Sequence, residues 1–246
     1  MMLMENDLLP YSLSDLPEGP WIVFAPHADD ETFGMGGSLL LAAQQNIETH
    51  VVFVTDGALG GEGDKEALIQ KRIEEATIAT TALGVTSIHF FGEPDRGLHF
   101  CQRLQDKISQ LLEDVKPKSV FFPTPMEYHP DHRVTAELAW ETSRAHAGFD
   151  GDAYSYEIST LAPINLLIDV TEVAEEKYEV VKGYASQLTQ AKYLALVMAV
   201  DTARTFSLPM DRVAAEGYFK YANKSQSLQQ QLERCIPAYF QGTGKD

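Results

Sequence analysis

Short, continuous apolar runs alternate along this chain with segments whose apolar residues recur at helical spacing. The first run is Trp21-Ile22-Val23-Phe24-Ala25, closed by Pro26. A run apolar at every position fits a strand buried on both faces, as in a parallel sheet. Gly34, Gly36 and Gly37 follow, and residues 38–46 read as a helix by composition. The second run covers 50–55, ends at Asp56-Gly57 and opens into a loop carrying Gly60, Gly61 and Gly63. Over 65–83, Leu68, Ile69, Ile73, Ala76 and Ala79 or Thr80 share one helical face, with Gly84 as the stop. A third strand over 87–91 precedes a helix over about 100–115, and Pro117 stops it. A fourth strand over 119–123 precedes a helix from near His132 to about His146. Strand-like segments recur near 153–159 and 165–170, and 171–187, 192–206 and 228–235 read as helices. Residues 1–20, polar and broken by Pro10, Pro17 and Pro20, read as a lead-in.

Four strand–helix units in succession predict an α/β fold, Rossmann-like, with a mostly parallel sheet and helices on both faces. No repeat or low-complexity linker divides the chain. Residues 1–246 therefore read as one domain, with its core at about 20–150 and a less regular C-terminal part capping the sheet. A chain of 246 residues buries roughly 70–75% of its unfolded surface, so its core needs no disulfides. With 44% apolar and 22% charged residues it is not a disordered chain. Two cysteines, Cys101 and Cys235, exclude a disulfide framework and a Cys-based zinc ribbon. The net charge of −17 argues against nucleic acid and anionic membranes as partners. The segment Met1 to Asp7 lacks the basic and apolar regions of a secretory signal. The longest apolar candidate, 193–200, falls far short of the ~20 residues that span a bilayer. A cytoplasmic protein is the expectation, and a homo-oligomer is compatible with all of this.

Chemistry concentrates in two clusters. Pro26-His27-Ala28-Asp29-Asp30-Glu31 sits just beyond the first strand, and Tyr128-His129-Pro130-Asp131-His132 just beyond the fourth. In a doubly wound sheet of order 3-2-1-4 those strands are neighbours, and ligands bind in the crevice where the strand order reverses. The two clusters would then converge. Imidazole and carboxylate donors without thiolates suit zinc or a similar divalent ion, iron and manganese included. A catalytic zinc site uses three protein ligands and keeps one position open for water, whose pKa falls to about 7. The remaining carboxylates and imidazole are free for acid–base work.

The run His27-Ala28-Asp29-Asp30-Glu31 with Thr32-Phe33-Gly34 resembles the His-Pro-Asp-Asp-Glu signature of the PIG-L/LmbE-like family of zinc-dependent N-acetylglucosaminyl deacetylases. His129-Pro130-Asp131-His132 resembles that family's second signature. Weaker matches are Thr55-Asp56-Gly57, Arg72 with Glu75, Leu83-Gly84, Phe91-Gly92-Glu93-Pro94-Asp95 and Ala215-Glu216-Gly217-Tyr218-Phe219. Ala28 replaces the usual proline, a change of local backbone only. The resemblance implies His27, Asp30 and His132 as zinc ligands and Asp29 as the general base. It implies His129 as the group that stabilises the oxyanion, with Asp131 holding its ring, and leaves open whether His129 or Asp29 protonates the departing amine. Arg72 and Asp95 match positions that contact the polar substrate.

Plainer readings stand beside these. His27 and Asp30 could be structural, since an Asp-rich turn often caps a helix, and Asp131 could be the N-cap of the helix near His132. Glu31 reads as structural, bonding backbone amides of its turn. His50, His89, His99 and His146 have no clustered partners in sequence. Residues 60–65 lack the Gly-Lys-Ser/Thr ending of a phosphate loop and read as a mobile loop at the crevice mouth. Gly34-Met35-Gly36-Gly37 has the wrong spacing for a dinucleotide fingerprint. Arg72 could equally belong to a solvated helix face, and 193–200 reads as a core helix stripe. The expected function is metal-dependent removal of an N-acetyl group from an amino sugar conjugate. The alternatives are a zinc hydrolase of a non-sugar N-acyl amide and a module that binds metal or ligand without turnover.

Overall fold

The structure, a computed structural model, describes residues 9–238 apart from Glu62 and Asn223. The Met1–Asp7 segment, Glu62 of the Gly-rich loop and the side chain of Cys235 lie outside what it describes. The strands are β1 (Ser12–Leu13), β2 (Trp21–Ala25), β3 (Thr49–Thr55), β4 (Ser87–Glu93), β5 (Ser119–Pro123), β6 (Asp152–Tyr156), β7 (Leu166–Asp169) and β8 (Ala215–Tyr221). The helices are α1 (Asp30–Gln44), α2 (Lys65–Ala82), α3 (Gln102–Val115), α4 (Pro130–Ala145), α5 (Ala174–Lys182), α6 (Ala185–Leu188), α7 (Tyr193–Ala203) and α8 (Leu228–Ala238).

All the strands form one sheet of order β1-β7-β8-β6-β5-β2-β3-β4. Every pairing is parallel except those of β8 with β6 and β7. The four expected strands appear as β4-β3-β2-β5, which is the 3-2-1-4 arrangement. Alternate side chains of each strand point to opposite faces, and this divides the core in two. Trp21, Val23, Ala25, Val51 and Phe53 pack with α1 and α2 on one face. Ile22, Phe24, Val52, Val54, Val120 and Phe122 pack with α3 and α4 on the other. β2 and β5 are buried at every position, so the continuous apolar runs were the correct signature of central parallel strands.

Three features depart from the sequence reading. Helix α1 begins at Asp30, eight residues before the expected start, and contains Gly34, Gly36 and Gly37. A Cβ on Gly34 would lie 2.4 Å from the Glu157 carbonyl oxygen, and one on Gly37 would lie 2.6 Å from Val170 Cβ. The glycines are the condition for α1 to lie against the β6 end and β7, which outweighs their helix cost of about 1 kcal/mol each. The second departure is β8, an inner antiparallel strand, together with short β1 in the lead-in. Glu216 and Lys220 interrupt the apolar pattern of β8, and only a tertiary partner explains Glu216. The third is that 171–187 divides into a 3-10 turn (Thr171–Val173), α5 and α6. The stripe at 193–200 is largely not core either. In α7 only Val197 and Asp201 are buried, and Met198 is 43% exposed.

A buried charge cluster joins these parts. Lys177 of α5 is 0% exposed, and its Nζ donates to Asp201 of α7 at 2.8 and 2.9 Å. The same Nζ lies 2.9 Å from Glu216 Oε1. Glu216 in turn accepts from the backbone N–H groups of Gly37 and Ser38 at 2.8 and 2.9 Å. Lys177→Met leaves two buried carboxylates without a cation, and a loss of about 3–5 kcal/mol is expected in urea unfolding. Burial and the Glu216 charge, opposed by Lys177, push the Asp201 carboxyl from 3.8 up to about 6. Between these values the folded chain holds a proton that the unfolded chain has lost. Wild-type stability should therefore fall relative to Asp201→Asn as pH rises from about 4 to about 6, which unfolding curves across that range will measure.

Candidate metal centre

The end of β2 and the end of β5 deliver the two clusters. After Ala25 the chain turns at Pro26, whose carbonyl accepts from Thr55 N–H and Oγ–H at 2.9 and 2.8 Å. His27 and Asp29 occupy this turn, and Asp30 opens α1. After β5, a second turn leads to His129, the N-cap of α4, whose Nδ1 accepts from Asp131 N–H at 3.2 Å. Pro130 occupies the first turn, where a missing N–H costs nothing. Because β2 pairs directly with β5, both turns open into one pocket of about 470 Å³. His27, Asp29, Asp30, Arg72, Asp95, His129 and His132 all line it. Asp131, 1% exposed, sits behind with its Oδ2 3.4 Å from His27 Nε2.

Three donor atoms form a nearly equilateral triangle. His27 Nδ1 and Asp30 Oδ2 are 3.1 Å apart, Asp30 Oδ2 and His132 Nε2 3.3 Å, and His132 Nε2 and His27 Nδ1 3.3 Å. Ligands at about 2.0–2.1 Å in a tetrahedron around zinc stand roughly 3.3 Å apart, so this spacing fits a small divalent ion. His129 belongs to the same group of nitrogens, all within 4.8 Å. Burial opposes charge on Asp30, yet His132 and His27 beside it hold its carboxyl far below the usual range. Burial also opposes charge on His27, and contacts with Asp131, Asp30 and Asp95 outweigh it and raise the imidazole well above 6.5. Carboxylates that favour positive charge at His27 make this a place that suits a cation.

Asp29 is 6% exposed and outside the triangle. Its Oδ2 accepts from Arg72 Nη2 at 3.2 Å, while Arg72 Nη1 donates to the Gly57 carbonyl. Burial, opposed by Arg72 and reinforced by the Asp30 charge, brings the Asp29 carboxyl up to about 6. Arg72 is 3% exposed, so the solvated-face reading is overturned; its guanidinium bonds Asp29 and the Gly57 carbonyl, and its Nε is buried without a hydrogen-bond partner. His129 is half-buried, and burial with the charges of His27 and His132 lowers its pKa. The N-cap reading of Asp131 is also corrected: His129 caps α4, and Asp131 lies in its first turn. The Asp131 carboxylate stays 3.9 Å from His129 Nδ1, so the backbone N–H of Asp131 makes the closer contact with that ring. Asp95 Oδ2 accepts from Leu59 N–H at 3.0 Å, which draws the Gly-rich loop to the pocket, where Leu59 and Gly60 line the wall.

Other expectations are revised here. Glu31 is fully buried but bonds the hydroxyls of Tyr184 and Thr32, at 2.5 and 2.7 Å, not backbone amides. His50 and His89 are partners after all. They stack across β3 and β4 with Nδ1 and Nε2 3.4 Å apart, and Glu48 meets His50 at 2.9 Å. His146 approaches Glu113 at 3.6 Å and His99 the Gly97 carbonyl at 3.2 Å. Pocket residues the sequence did not single out are Arg96, Ser159, Gln187, Tyr193 and Leu196. Glu127, buried below the pocket, was passed over although it stands two residues before His129.

An α/β sheet carrying a buried His/Asp centre at its switch point defines the class of the molecule. Residues 22–143 match the PIG-L family, described as GlcNAc-PI de-N-acetylase, and over these residues the chain belongs to that family. The chain is 28% identical over 184 residues to diacetylchitobiose deacetylase of Thermococcus kodakarensis, covering 67% of this chain and 68% of that protein. It is 25% identical over 230 residues to 4-oxalmesaconate hydratase of Pseudomonas putida, covering 82% and 88%. The solved structure of N,N'-diacetylchitobiose deacetylase from Pyrococcus horikoshii superimposes with a TM-score of 0.75 at 22% identity, covering 82% and 83%. Among the described residues no helix is long and apolar enough to cross a membrane.

If the triangle holds a metal, dialysis against zinc should load about one ion per chain, and His132→Ala should load almost none. Elemental mass spectrometry reads both, and equal loading would sink the assignment.

Proposed function

We propose that this protein is a zinc-dependent hydrolase that removes the N-acetyl group from an N-acetylglucosamine-type amino sugar conjugate. The observation that carries the proposal is the donor triangle of His27, Asp30 and His132 with a further carboxylate, Asp29, beside it. The match to a deacetylase family and the likeness to a sugar deacetylase support the substrate class. In this reading the whole chain is one domain that works in the cytoplasm on a small molecule.

His27, Asp30 and His132 would hold the ion. Bound there, zinc supplies a Lewis acid for the amide carbonyl and makes water a nucleophile near neutral pH. Asp29 takes the proton of the attacking water. Burial makes its carboxylate more basic than that of an ordinary aspartate. Arg72 keeps its Oδ2 in place. His129 is kept neutral by its lowered pKa. Its Nδ1 accepts from Asp131 N–H, so the proton resides on Nε2, which donates to the carbonyl oxygen as negative charge develops. The proton gained by Asp29 balances the one that the departing amine requires. Asp95, at the pocket wall, is the carboxylate we assign to a sugar hydroxyl, with its Oδ1 3.6 Å from His27 Nε2.

The likeness to a hydratase of a polycarboxylate raises a competing chemistry. The pocket favours the neutral amide. Asp29, Asp30 and Asp95 already crowd it with carboxylates, and the charge of Arg72 is already paired with Asp29. The test is acetate release from a panel of N-acetylglucosamine conjugates and simple N-acyl amides, with hydration of unsaturated dicarboxylates followed in parallel. Asp29→Asn should lower acetate release by about 10²–10⁴-fold with bound zinc unchanged. Full activity in that variant removes Asp29 from the chemistry. Acetate from simple amides alone would replace the sugar, and hydration without acetate would replace the reaction.

A further inference from the structure

Glu127 has no part in the roles above, yet it is the most heavily bonded carboxylate near the site. It lies in the turn between β5 and α4 and is 1% exposed. Its Oε1 accepts from three successive backbone N–H groups, Ile158 at 3.1, Ser159 at 2.9 and Thr160 at 3.1 Å. Its Oε2 accepts from the Ser159 hydroxyl and, at 3.4 Å, from that of Thr160. On its other side, Oε2 lies 3.9 Å from Nδ1 of His132. That nitrogen is buried and has no hydrogen-bond partner, whereas Nε2 of the same ring is one corner of the donor triangle.

Two physical rules connect these facts. A buried polar nitrogen left unpaired is costly, and a native fold leaves few of them. An imidazole that binds a metal through one nitrogen nearly always donates its other N–H to a carboxylate, carbonyl or water, which fixes the tautomer and the ring. A carboxylate oxygen has about two acceptor directions. The 3.4 Å contact from Thr160 is the weak one, and giving it up frees one direction of Oε2 for a ring N–H.

We propose that Glu127 is a positioning residue of the metal centre. Its carboxylate takes the Nδ1–H of His132 and fixes the tautomer that leaves Nε2 facing the ion. Through its three amide bonds it also ties the turn at 158–160 to that ring. Ile158 and Ser159 of this turn line the pocket, so one side chain holds a substrate wall in register with a ligand. The inference rests on His132 being a ligand, as proposed above.

Glu127→Gln tests it. The amide oxygen of Gln can still receive the loop N–H groups, but its NH₂ then confronts the His132 N–H. Zinc affinity, read by competition with a chromophoric chelator, should weaken by about 10–100-fold. Ser159→Ala removes a hydroxyl from Oε2 but keeps the carboxylate, so it should weaken zinc affinity far less than Glu127→Gln. A crystal structure of the zinc-loaded wild type should place Oε2 within hydrogen-bond distance of His132 Nδ1. This decides the matter if Glu127→Gln does not fold. Wild-type zinc affinity in Glu127→Gln, or another acceptor on Nδ1 in the crystal, overturns the role of Glu127 alone. Failure of the wild type to bind zinc overturns the metal reading instead.

Discussion

The pairing of β2 with β5 is the constraint on which the rest of the molecule depends. Trp21, Ile22 and Val23 lie beside Ser119, Val120 and Phe121 in parallel register. The chain leaves the two strands at the same edge of the sheet but belongs to helices on opposite faces, α1 and α4. The gap between those departures is the pocket. His27 and His132 are 105 positions apart in sequence, yet their facing nitrogens are 3.3 Å apart. Nothing local to either cluster could achieve this. It follows from apolar burial of two central strands on both faces, at roughly 25 cal/mol per Å².

Positive and negative groups are buried here in alternation. The donor triangle concentrates imidazoles and a carboxylate where water is largely excluded. Arg72 offsets Asp29, and Glu127 faces an unpaired imidazole nitrogen. On the far side of α1, Lys177 is enclosed by Asp201 and Glu216, and Glu216 also holds the helix backbone at Gly37 and Ser38. Helix α1 therefore carries the His27–Asp30 turn at its start and is anchored to the late elements through its glycines. The C-terminal third of the chain is not an appendage. β8 and α5 fix the helix that presents Asp29 and Asp30, and α6 and α7 contribute Gln187, Tyr193 and Leu196 to the pocket wall. The proposed ligands follow β2 and β5, whereas much of the pocket wall comes from elsewhere.

Much of this was legible in the residues themselves. Continuous apolar runs at 21–25 and 119–123 identified central parallel strands because burial on both faces leaves no polar position. Two His/Asp clusters following those strands pointed to one crevice through a general rule of open sheets. What escaped were features whose reason lies in a distant partner. The glycines of α1 looked like a helix break because their value is the close approach of Glu157 and Val170. β8 did not read as a strand because Glu216 spoils its pattern, and Lys177, which explains that charge, lies 39 positions earlier. Arg72 stood between a substrate contact and a surface arginine until Asp29 was beside it, and Glu127 had no motif to announce it.

The sequence by itself thus determined the periodicity, the order of the first four strand–helix units and the chemical type of the site. These depend on local alternation and on side-chain chemistry, both of which are written along the chain. Tertiary structure alone decided which charges are buried together, where the antiparallel strand inserts, and which neighbours share each functional side chain. Those outcomes depend on distances through space, and the free energy of a buried charge has no fixed value until its counter-charge and hydrogen-bond donors are in place.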